Sequence, residues 1–89
     1  MTVAPQAEQV RQLVIRTFSE FGVAVRSLFD LNEALLIEEG RLLARSYRSA
    51  GLMATWLIEI GTVQFYDASG NMLRTVNLLL ELDTKRAAA

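Results

Sequence analysis

Arg41, Arg45, Tyr47 and Arg48 form the densest cluster of chemistry-bearing side chains in this 89-residue chain. Arginines interleaved with an aromatic can hold phosphate and stack a base, which makes the cluster a candidate nucleic-acid surface. On a strand, Arg41, Leu43, Arg45 and Tyr47 would share one face while Arg48 points away. The competing role is structural: cross-strand pairing with Glu38, Glu39 or Glu59, with arginine stems laid over apolar neighbours. Nine basic residues against ten acidic ones leave a net charge of −1, a balance that favours the structural role. No RNA-binding aromatic signature or glycine-clamp loop accompanies the cluster.

Other chemistries are narrowed by what is missing. With no cysteine and no histidine, thiol nucleophiles, imidazole bases, zinc sites of the usual ligands and Ser-His-Asp triads are excluded. Paired carboxylates remain, but Glu38 and Glu39 would diverge on a strand, and Glu59 and Asp67 fall near opposite ends of neighbouring strands. Asp67-Ala68-Ser69-Gly70 lacks the ligand series and closing glutamate of a calcium loop. Trp56 would line a ligand pocket only if polar groups converged on it; otherwise it is a core residue. The residues thus imply no cofactor or metal, and an enzyme or small-ligand binder at Trp56 is the least favoured reading.

The elements that would position these residues begin with a helix. Val10, Leu13, Val14, Thr17, Phe18 and Phe21 recur at helical spacing, with Pro5 suited to the first turn and Gly22 to the stop. From Val23 to Asp30 the pattern fits a short edge strand or a loop. Residues 31–49 are ambiguous: Glu33-Ala34-Leu35-Leu36 are good helix formers, and Asp30 with Glu33 resembles a capping box, yet Gly40 stands where a hairpin needs it. Two strands, about 34–38 and 41–49, are the preferred assignment.

Ala54, Trp56, Ile58 and Ile60 then alternate along a strand from Met53 to Ile60, bracketed by Gly51 and Gly61. Strands at about 62–67 and 71–80 follow, joined by Asp67-Ala68-Ser69-Gly70-Asn71. Asp67 can start a type I turn and Gly70 can take the left-handed position before a bulge. This hairpin is expected to pair Tyr66 with Met72 and Phe65 with Leu73. The fold class is α+β: an N-terminal amphipathic helix packed on an antiparallel meander of four strands, or five, in a single domain over residues 1–89 with frayed ends at 1–4 and 85–89.

Apolar residues make up 52 % of the chain and occupy both faces of the expected strands. A helix about 10 Å across is narrower than four strands spaced about 4.8 Å, so one helix is expected to leave apolar sheet surface uncovered. A second copy or another protein would cover it. The sequence therefore points to a small non-enzymatic protein-interaction or accessory module that self-associates, with Leu57, Leu73 and Leu79 as candidate interface residues. A nucleic-acid binder is the alternative. No signal peptide is visible, and the uncharged stretches are shorter than the ~20 residues of a membrane-spanning helix, so a cytoplasmic protein is expected.

Overall fold

The computed structural model of the chain describes residues 6–26 and 30–81. Helix α1 (Ala7–Glu20) precedes strands β1 (Asn32–Glu38), β2 (Arg41–Ser49), β3 (Leu52–Leu57), β4 (Thr62–Tyr66) and β5 (Met72–Asn77). All neighbours pair antiparallel in the order β1-β2-β3-β4-β5, an α+β meander with the fifth strand present. Pro5, the Leu28-Phe29 pair and the tails at 1–4 and 85–89 lie outside the described residues.

The helical spacing read from the sequence matches the buried stripe of α1: Val10, Leu13, Val14, Thr17 and Phe18 are buried. At its start the Gln6 backbone N–H donates to Gln9 Oε1 at 3.0 Å. Gly22, at φ +90°, stops it, and the Val23 N–H returns to the Phe18 carbonyl at 2.9 Å. Residues 32–49 form a hairpin of two strands because Glu39 (φ 51°) and Gly40 (φ 77°) are both left-handed, which no helix permits and a two-residue hairpin requires.

Strand register places two cross-strand rows beneath α1. One runs Glu33, Tyr47, Ala54, Phe65, Arg74 from β1 to β5; the next runs Leu35, Arg45, Trp56, Val63, Val76. Tyr47, Ala54, Trp56, Val63 and Phe65 from these rows join the α1 stripe, Leu31 and Leu78 in the core. Phe18 meets Phe65 edge to face at 6.0 Å.

The helix covers more than its diameter suggests because it lies across the strands. Arg11 reaches Glu33 on β1, and nine residues later Glu20 reaches Arg74 on β5. A 14-residue helix is about 21 Å long, close to the roughly 19 Å spanned by five strands. The helix thus reaches from one edge of the sheet to the other, while its width leaves part of that face wet, as expected: Leu35, on the α1 side, is 53 % exposed.

Two strand ends and one cross-strand pairing differ most from the sequence reading. β3 ends at Leu57 rather than Ile60, because residues 58–61 form a turn in which the Gly61 N–H donates to the Leu57 carbonyl at 3.0 Å. β5 ends at Asn77 rather than near Leu80, because Asn77 Oδ1 accepts the N–H groups of Leu79 (3.0 Å) and Leu80 (3.3 Å) and starts a helical turn at 78–81. Tyr66 pairs with Met72 as expected, but Phe65 pairs with Arg74 and not Leu73. Leu73 is the extra residue of a bulge, and that one-residue shift brings Arg74 onto the helix-covered face.

Candidate functional site

β1 is the edge strand at one side of the sheet, and every one of its seven residues is exposed. β2 takes one row of its backbone groups, leaving the other row directed away from the sheet. Leu35, Leu36 and Ile37 are 53, 54 and 56 % exposed at consecutive positions. Alternation sends Leu35 toward the α1 side and Leu36 toward the open side.

Edges are normally guarded by lysine, proline, a bulge or an inward charge. From Ala34 to Ile37 β1 has no such residue. The irregularity opposite Leu36 and Ile37 inserts its extra residue, Leu43, into β2 and leaves β1 regular. Removing the wet part of each of the three aliphatic side chains would yield roughly 1 kcal/mol apiece.

The opposite edge is built differently. β5 exposes Met72 and Leu73, but it carries the Leu73 bulge and ends in the Asn77-capped turn. Its Arg74 is turned inward, donating to Glu20 Oε1 at 3.0 Å and lying 4.9 Å over the Phe21 ring. The bulge is a guarding device that β1 lacks, whereas the inward charge is shared, since Arg11 holds Glu33 of β1 under α1 in the same way.

The open face is less apolar than the strand patterns suggest. A row of Ser46, Thr55, Gln64 and Thr75 crosses its middle, between rows holding Met53, Tyr66 and Met72 on one side and Leu36 and Leu57 on the other. An open concavity of about 850 Å³ lies over Arg48, Met53, Thr55, Gln64 and Tyr66. Two hairpin turns wall one end, touching so closely that a Cβ on Gly51 would meet that of Ala68 at 3.4 Å. The Tyr66 hydroxyl donates to Gln64 Oε1 at 2.7 Å, while Arg48 has no carboxylate partner among the described residues.

The arginine and tyrosine cluster is not brought onto one surface. Arg41 is exposed and ion-paired with Glu59, Arg45 is half-buried on the covered face, Tyr47 is wholly buried there, and Arg48 stands on the open face. Arg48 points away from Arg45 and Tyr47, as strand alternation requires, but the Leu43 irregularity interrupts the alternation that would link Arg41 to them.

Leu57, Leu73 and Leu79 are also separated. Leu57 is half-buried on the open face at one end of β3, Leu79 follows β5 at that same end, and Leu73 occupies the bulge near the other end. The unpaired edge of β1 is not among the sequence-based candidates, because Glu33-Ala34-Leu35-Leu36 reads as helix or strand without showing which strand is left at the edge. Its sequence signal is three successive aliphatics without a guard after the first helix.

Beneath α1, Tyr47 Oη, Trp56 Nε1 and Arg45 Nε are buried without hydrogen-bond partners among the described residues. Burial pushes the Tyr47 phenol above its ordinary pKa and nearby Glu33 adds to this, while Arg45 and Arg11 oppose it. Trp56 sits in the core, and the concavity lies on the opposite face. Among the described residues no cluster of three metal-ligating side chains occurs, and no helix is long and apolar enough to cross a membrane. Comparison with protein families, curated proteins and solved structures finds no match to this chain.

Proposed function

We propose that this chain is a non-enzymatic protein-interaction module that docks its partner by strand addition at β1. The observation that carries this reading is the unguarded run Leu35-Leu36-Ile37 on a regular edge strand whose seven residues are all exposed. Strand addition supplies main-chain hydrogen bonds along the edge, while side chains alternating to the two faces supply selectivity. Helix α1 backs the sheet behind that edge, tied to β1 through Arg11 and to β5 through Glu20.

Site-specific photocrosslinking in the native cell tests the location of docking. A photoreactive residue at Leu36 is expected to give a discrete protein adduct. The same residue at Met72, 53 % exposed on the opposite edge, is expected to give none. Equal adducts at both positions, or none at Leu36, would remove β1 as the docking edge.

A further inference from the structure

We infer that the strand added to β1 is β1 of a second copy, antiparallel about a two-fold axis at Leu36, joining two five-stranded sheets into one continuous sheet. This inference rests on the strand-addition reading and names its partner. Its basis is the self-complementarity of β1. With Leu36 opposite its own counterpart, Leu35 faces the second copy's Ile37 and Ile37 faces the second copy's Leu35. All three aliphatic residues then meet aliphatic residues. A two-fold axis at Leu35 would instead set Leu36 against alanine and Ile37 against Glu33.

The Leu36 axis keeps charge out of the aliphatic centre while setting one like-charge pair on each side of it. Glu38 falls opposite Ala34, beyond the aliphatic centre. Glu33 falls opposite Glu39 of the second copy, but its carboxylate is already held by Arg11, whose Nε donates to Oε1 at 2.8 Å and Nη2 to Oε2 at 3.3 Å. The like charge that would oppose this register is therefore partly neutralised within each copy. A two-fold axis normal to the sheet places both copies of α1 on the same side of the joined sheet.

The absence of cysteine makes the register directly readable. Across an antiparallel pair, opposed Cα atoms lie about 4.5–5.5 Å apart, within disulfide range. Residues 35 of the two copies would be about 8 Å apart, beyond that range, because each is displaced two positions from its own counterpart.

Mild oxidation of the purified full chain is therefore expected to link Leu36→Cys into a covalent dimer. Leu35→Cys and Ile37→Cys should fail to dimerise alone and should link when mixed. Dimerisation of Leu35→Cys without that of Leu36→Cys would overturn the register. Failure of all single and mixed variants would overturn pairing between copies. If photocrosslinking at Leu36 still captured a different protein, strand addition would stand with another occupant. If both experiments failed, the docking edge itself would fall.

Discussion

Arg11 on α1 grips Glu33 on β1 through two hydrogen bonds, Nε to Oε1 at 2.8 Å and Nη2 to Oε2 at 3.3 Å. The pair joins the helix to the edge strand and raises the Arg11 pKa, chiefly through the Glu33 hydrogen bond. Both side chains are partly exposed, so salt screens part of the interaction. Arg11→Met is expected to cost about 1 kcal/mol of stability by denaturant melting. It should also weaken association between copies, by leaving Glu33 uncompensated opposite Glu39. Unchanged melting and association would show that the pair neither anchors nor neutralises β1.

Tyr47→Phe tests the buried polar atoms under α1. A hydroxyl buried without a partner costs stability, so its removal is expected to leave the denaturant midpoint unchanged or raise it by up to about 1 kcal/mol equivalent. A fall of about that size would reveal a partner. In the wild type, the raised phenol pKa means that its stabilising contribution is complete below the ordinary value of 10.0 and is lost as pH rises through the higher folded value. Alkaline melts should show that loss, and Tyr47→Phe should abolish this contribution.

Gly70→Val isolates the hairpin turn. Gly70 has φ +86°, and an added Cβ would meet nothing within 4 Å, so the cost is conformational rather than steric. Destabilisation of more than about 1 kcal/mol is expected, because a β-branched residue resists positive φ. Ala68→Val, on the same turn, should be milder. Equal denaturant midpoints for the two variants would contradict the turn geometry.

The same turn lowers the Asp67 pKa. The Asn71 backbone N–H donates to Oδ1 at 2.9 Å, the Asn71 side chain to Oδ2 at 3.1 Å and the Ser69 N–H to Oδ1 at 2.9 Å. These bonds favour the carboxylate, so its contribution is present above the ordinary value of 3.8 and lost as pH falls through the lower folded value. Carbon-detected NMR titration should place the midpoint below 3.8, and Asn71→Ala should move it upward. A midpoint at or above 3.8 would contradict the bonding.

What the sequence made legible was local chemistry with a fixed spacing. The α1 stripe, the Gly22 stop, the left-handed Gly40 and Gly70, and the Tyr66–Met72 pair each follow from residue type and period. What it concealed depends on one-residue phase shifts or relative placement. The Leu73 bulge turns Arg74 inward, and the Leu43 irregularity breaks the face shared by Arg41 and Tyr47. The Asn77 cap has a sequence signal, an asparagine directly before Leu78-Leu79-Leu80, which the strand reading of that apolar run does not use. Nor does periodicity say that α1 crosses the strands, and that orientation decides which apolar surface stays wet.

Light scattering coupled to size exclusion, on wild type and Leu36→Lys from low to high micromolar concentration, tests most directly whether β1 carries the contact between copies. Lysine at this half-exposed edge position should cost the fold little while placing a charge at the two-fold axis. Pairing through β1 predicts a wild-type mass rising with concentration from 9.9 kDa toward twice that value, with Leu36→Lys remaining at 9.9 kDa throughout. A wild type that stays at 9.9 kDa at the highest concentration, or a Leu36→Lys variant that dimerises equally well, would contradict it.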